Sequence, residues 1–220
     1  MPIRRSASRF FLASWLSLCA VALPGTAHAD LLLEGSTLPL LTGTTVALEP
    51  QLVGVVIDSK LDTFSFAGVS GTIAGTITSR VVRAVDGTLD FYWQVTSTPN
   101  SSDDLGSFRL GNLFTPEYRV NWRSDGAGNR APVSATRFSG AQSSDFNFNF
   151  RTVGETGALQ GLGAGETSYF MFLDTSATAY DTSGLMDVAD LNFARISSLF
   201  STFAPTAATV PEPGSLALAG

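Results

Sequence analysis

The stretch "GTIAGTITSRVVRAVDGTLDFYWQVTS", residues 71–97, decides the fold class. On both sides of Asp86-Gly87 apolar and polar residues alternate, the period of a strand with one buried face. Asp-Gly between two such runs signals a hairpin, because glycine enters the positive-φ backbone that a tight reversal needs. Two registers compete. A two-residue turn pairs Arg83 with Asp90 and sets Arg80 opposite Trp93. A three-residue loop with Gly87 in a left-handed bulge sets Ile77 opposite Val95 and Val81 opposite Phe91. One slip moves every side chain to the other face, so the register with a uniform apolar face is expected. Its outer face carries Thr72, Thr76, Thr78, Arg80, Tyr92, Gln94 and Thr96.

The same device recurs along the chain. In "DFNFNFR" (145–151), Phe146, Phe148 and Phe150 oppose Asn147, Asn149 and Arg151. In "EYRVNWR" (117–123), Tyr118, Val120 and Trp122 oppose Arg119, Asn121 and Arg123. The segment "TSYFMFLD" (167–174) is apolar on both faces, as for a strand buried between layers. Further strands are expected at 46–48, 52–57, 63–67, 107–110, 133–138 and 198–203. The segment "SGLMDVADLNFARI" (183–196) reads equally as a helix, with Leu185, Val188 and Ala189 on one face, or as a strand. About ten strands with at most one or two short helices predict an all-β, antiparallel, two-layer sandwich of jelly-roll type. Crossover helices for parallel βαβ units are missing.

The first 29 residues read as a signal peptide. Arg4, Arg5 and Arg9 precede an uncharged run from Phe10 to Leu23, and Ala27-His28-Ala29 gives a small-x-small pattern before Asp30. The run is short of the roughly 20 residues that a membrane span needs. Cleavage between Ala29 and Asp30 would remove the only cysteine, Cys19, and the only histidine, His28. The mature chain would then hold no disulfide, thiol or imidazole, which excludes Cys-His and Ser-His-Asp sites and thiolate or histidine zinc sites. From Asp30 onward ten basic residues face 19 acidic ones, a formal charge of −9. Such a surface repels nucleic acid, so no nucleic-acid partner is expected. The body, 30–205, is long enough for one well-buried domain without disulfides. After it, "APTAATVPEPG" has the composition of an extended linker.

The tail, 206–220, holds Val210-Pro211-Glu212-Pro213 followed by "GSLALAG". It resembles the PEP-CTERM sorting signal of Gram-negative bacteria, in which this motif precedes a transmembrane helix and an arginine-rich end. Tails of this kind also carry the label of an ice-binding protein C-terminal domain. The resemblance implies recognition by an exosortase-type protease after signal peptidase has acted. It also implies a cell-surface or extracellular-matrix location and an association with exopolysaccharide and biofilm matrix. Here the apolar onset, Leu216 to Ala219, is only the start of a span, so the signal reads as truncated and the anchor as incomplete. A chain that truly stopped there would be expected in the periplasm. The body is similar in flavour to uncharacterised β-rich ectodomains that precede such tails, in "GTLDFYWQV", "GSFRLGNLF" and "YRVNWRSDGAG". That likeness implies an architecture and no activity.

Candidate chemistry is sparse. A carboxylate-pair glycosidase would need facing acids; Asp103-Asp104 lies in a polar loop, and Asp187 with Asp190 is the other pair considered. Asp125 and Asn129 in "RSDGAGNR" (123–130) could offer oxygen ligands to calcium, although a plain β-turn fits the same residues. Trp93, Tyr118 and Trp122 are expected in the core, leaving Tyr92 as the aromatic positioned for sugar contact. An ice-binding face would need ranks of threonine, and only two Gly-Thr-Ile units occur. No cofactor, catalytic residue or firm metal site is expected. The chain thus reads as an exported, non-enzymatic surface or matrix protein with a structural or adhesive role. A carbohydrate-binding module for matrix polysaccharide is the alternative.

Overall fold

The Asp86-Gly87 reversal closes as a three-residue loop: Ala84 N–H donates to the carbonyl of Thr88 at 2.9 Å, and Gly87 sits at φ +90°. Asp86 Oδ1 accepts from both the backbone and the hydroxyl of Thr88, at 2.9 and 2.6 Å. These bonds hold its carboxyl below the usual aspartate range. The register follows, with Ile77 opposite Val95, Val81 opposite Phe91 and Arg80 opposite Tyr92.

The computed structural model describes residues 28–114 and 117–206. Residue Ala27 and the tail motif Val210, Pro211, Glu212 and Pro213 lie outside the described residues. In chain order the strands are β1 (Asp30–Leu31), β2 (Thr37–Leu38), β3 (Gly54–Ala67), β4 (Thr72–Ala84), β5 (Leu89–Ser97), β6 (Leu105–Gly111) and β7 (Arg119–Trp122). Then come β8 (Ser134–Arg137), β9 (Phe146–Asn149), β10 (Thr152–Val153), β11 (Leu159–Gln160), β12 (Met171–Asp174), β13 (Ala179–Asp190) and β14 (Phe200–Thr206). Helical structure among the described residues is limited to single 3₁₀ turns at Pro50–Leu52 and Gly140–Gln142. Four of the fourteen strands are two residues long, and ten are longer.

Two six-stranded sheets face each other, in the orders β1-β7-β12-β5-β4-β3 and β14-β13-β6-β9-β8-β2. Their neighbouring strands pair antiparallel. The core lies between them. Ile73, Ile77, Val81, Phe91, Trp93 and Val95 come from β4 and β5, and Phe108, Phe146, Phe148, Val188 and Phe203 come from the opposite sheet. The Trp93 indole N–H donates across the layers to Thr202 Oγ1 at 2.8 Å. Thr202 Oγ1 in turn reaches Ser79 Oγ at 3.2 Å. Fully burying each large apolar side chain contributes about 1.5–3 kcal/mol, so this inner face dominates the stability.

Several local expectations are corrected. Residues 183–190 are strand: β13 lies between β14 and β6, its last residues are covered on both faces, and its period therefore does not show. Residues 46–48 form a turn, with Leu48 N–H and Glu49 N–H both donating to the carbonyl of Thr45. The separate strands at 52–57 and 63–67 are one continuous edge strand, β3. Its middle, "DSKLD", is polar because an edge strand is solvated there. Tyr92 points to the outer side of its sheet, as expected, but it is only 4% exposed.

Candidate functional site

The outer faces of β4, β5 and β12 are not bare. Val82, Tyr92 and Phe172 project there and are covered by Ala29 and Leu52, with Val46 and Phe170 at the margin. The segments that provide this cover carry no strand period, so alternation in β5 placed Tyr92 correctly without revealing its lid. Tyr92 packs 5.4 Å from Phe172 and edge-on to Phe170 at 6.5 Å, ring centre to ring centre. Burial first, and the nearby Asp90 second, push its hydroxyl well above the usual tyrosine range.

Beside this cluster runs a groove of about 490 Å³. Its floor is Arg80, Tyr92 and Gln94; its walls include Val46, Leu52, Arg123, Ala127 and Phe170. The Arg80 guanidinium lies 4.5 Å from the centre of the Phe170 ring. Arg123 sits 6.0 Å from the centre of the Tyr92 ring, and it holds Asp125 through two bonds of 2.7 and 2.9 Å. Gln94 Nε2 donates to the carbonyls of Ala127 and Ser168, at 2.6 and 3.0 Å. Aromatic edges, two guanidinium groups and an amide thus meet in one cleft.

The calcium candidates are committed elsewhere. Asp125 binds Arg123 and accepts from Val46 N–H at 3.0 Å, and the Arg123 bonds depress its carboxyl. Asn129 Oδ1 accepts from Thr167 N–H at 2.8 Å. The loop thereby builds a wall of the groove. Among the described residues no cluster of three or more His, Cys, Asp or Glu groups has metal-binding geometry.

Three of the glycosidase candidates, Asp103, Asp104 and Asp190, line one pocket of about 390 Å³, and each of the four is bonded to its surroundings. Asp103 accepts from Ser70 N–H at 2.9 Å, and that bond lowers its pKa. Asp104 accepts from Gly161 N–H at 2.9 Å. Asp187 forms a bidentate pair with Arg109 at 2.6 and 2.7 Å. Asp190 Oδ1 accepts from Ala194 and Arg195 N–H and closes the turn after β13.

An acid pair that sequence reasoning missed lies on the same outer face. Asp90 on β5 and Asp174 on β12 are direct cross-strand partners. Asp90 is 1% exposed, and its Oδ2 has no hydrogen-bond partner among the described residues. Burial, reinforced by the Asp174 charge, raises its pKa to about 8. Asp174 is raised to about 6, chiefly by burial, with Arg119 opposing and Glu49 adding to the shift. Parity with Tyr92 and Phe172 puts each acid on the outer face; the pairing of β5 with β12, which joins positions 90 and 174, is what no local pattern shows. Asp174 borders a pocket with Gln51, Thr88 and Arg119, whereas Asp90 is closed off from solvent. Asp90 is thus a buried acid with a half-buried acid, Asp174, as its cross-strand neighbour.

Comparison of the chain with models of protein families, with curated proteins and with solved structures finds no significant match.

Proposed function

We propose that this chain is an exported, non-enzymatic cell-surface or extracellular-matrix protein, sorted through its Pro-Glu-Pro tail, with the sandwich as its structural or adhesive module. The observation that carries this reading is the use of the candidate acids: Asp103, Asp104, Asp187 and Asp190 each hold a loop or an arginine. The sorting part rests on the tail resemblance. Its test is cell fractionation with surface-protease accessibility in a host that carries an exosortase. With the tail completed by a full apolar span and an arginine-rich end, the chain is expected at the surface, and its Pro211→Ala, Glu212→Ala form is expected to stay behind; equal surface exposure of the two would reject the sorting role.

The groove favours a second reading, adhesion through matrix polysaccharide. Tyr92 and Phe170 lie beside Arg80, Gln94 and Arg123 in one cleft, although little of the Tyr92 ring is open. Titrating the exported protein against neutral and uronate-containing polysaccharides tests it. Binding that Arg80→Met or Gln94→Ala weakens tenfold or more supports the groove. Saturable binding indifferent to both changes would place the contact elsewhere, and no binding to any glycan would leave the structural role alone.

A further inference from the structure

The sequence places the export cut after Ala29, yet Ala29 is part of the folded body. It is 3% exposed and packs with Leu52, Val82, Tyr92 and Phe172. Its backbone N–H donates to Glu49 Oε1. Glu49 is 1% exposed, and its Oε2 has no hydrogen-bond partner among the described residues. The His28 ring lies beside the same carboxylate, with Nδ1 3.3 Å from Oε1. The His28 carbonyl accepts from Asn121 Nδ2 at 3.0 Å, and Asn121 is itself buried.

A cut after Ala29 would strip all of this at once. Glu49 would lose its N–H donor and the adjoining ring, Asn121 would lose an acceptor, and the apolar cluster over Tyr92 would lose a wall. The cut would thus cost the fold a charge-assisted hydrogen bond, a side-chain hydrogen bond and buried apolar contact together. The sequence offers a second small-x-small site two residues earlier, Gly25-Thr26-Ala27 before His28. A cut there keeps every contact. It also adds a positive charge next to a face that already holds Glu49, Asp90 and Asp174.

We propose that the exported chain is cut between Ala27 and His28, so that the mature protein begins at His28 and its terminal ammonium group helps to balance buried Glu49. Water adds across the Ala27–His28 amide; the leader leaves with the Ala27 carboxylate, and the new α-amino group of His28 takes up a proton. One consequence reverses an expectation from sequence: the mature chain keeps its single histidine, held beside an acid.

The inference rests on the export reading, and one experiment separates the two. The full chain is produced in a Gram-negative host, and the exported product is analysed by intact mass and amino-terminal sequencing. A product beginning His-Ala-Asp is expected. A product beginning at Asp30 would overturn the proposal while leaving export intact, and a full-length product beginning at Met1 would overturn both. Ala29→Leu sharpens the result. Position 29 adjoins the scissile bond only for the later cut, so this variant is expected to be processed at the wild-type rate. Stalled processing of Ala29→Leu would return the cut to Ala29, whether or not the variant folds afterwards.

Discussion

The two faces of the sheet that carries β4 and β5 arise from one alternation and end in different environments. Inward, Ile77, Val81, Phe91, Trp93 and Val95 meet another sheet, and that side is apolar apart from the buried hydroxyls of Ser79 and Ser97. Outward, Val82, Asp90, Tyr92, Phe172 and Asp174 meet a lid of irregular chain. Strand parity tells which way a side chain points, and the identity of what covers it comes from elsewhere in the chain. The inner face is thus a packing surface with one expected partner. The outer face mixes rings, acids and arginines, and its character is set by residues 28–29 and 44–53.

The largest expected effect lies on the inner face. Trp93→Ala removes the largest fully buried side chain and leaves Thr202 without its indole donor. Truncations of this kind cost about 3–5 kcal/mol. Urea unfolding is expected to show a loss of that size; a loss below about 1 kcal/mol would mean that the two layers are not packed through Trp93.

The outer face is expected to respond to pH instead. Asp90 has a folded pKa of about 8 against an ordinary 3.8. The folded state therefore holds a proton that the unfolded chain has released. Stability from this group is complete below about pH 4 and is lost as pH rises toward about 8, with Asp174 adding to the loss up to about pH 6. Asp86, Asp103 and Asp125, held below the usual range, act in the opposite sense, and only under acid conditions. The midpoint of thermal unfolding should therefore fall between about pH 5 and pH 8, by an amount worth a few kcal/mol. Asp90→Asn should flatten that slope. An equal slope in the variant would assign the effect to other groups.

A smaller effect tests the turn that sets both faces. Gly87 has φ +90° and open space where a Cβ would sit. The cost of Gly87→Ala is therefore that of the backbone alone, about 1 kcal/mol. A neutral result would show that the loop relaxes to another conformation.

These cases also mark what was legible in the sequence. The register was, because Asp86-Gly87 offered two pairings and only one gathered Ile77, Val81, Phe91, Trp93 and Val95 on one face. The Phe146, Phe148 and Phe150 stripe was, because its other side is polar. Residues 183–190 were ambiguous because a strand covered on both faces loses the two-residue period that identifies it. The lid over Tyr92 was hidden because turns 46–48 and 50–52 have no period at all. The Asp90–Asp174 pair was hidden because its partners are joined by topology rather than by spacing. The groove inherits both difficulties: Arg80, Tyr92 and Gln94 were placed on one face in advance, while Phe170 and Arg123 reach it from loops.

The smallest expected effect on stability separates packing from recognition at that groove. Arg80 stands over the Phe170 ring at 4.5 Å, in the groove beside the covered cluster. A cation–ring contact at a partly solvated site contributes about 0.5–1 kcal/mol. Arg80→Met keeps an unbranched, polarisable chain against Phe170 and removes only the charge and its donors. Its unfolding free energy is therefore expected to drop by no more than about 0.5 kcal/mol. A loss of about 2 kcal/mol would instead make Arg80 a structural part of the lid, in line with the buried character of Tyr92. With stability nearly unchanged, any loss of polysaccharide binding in this variant reports on contact with the sugar. That makes Arg80 the position at which the outer face shows whether it is a covered wall or a working surface.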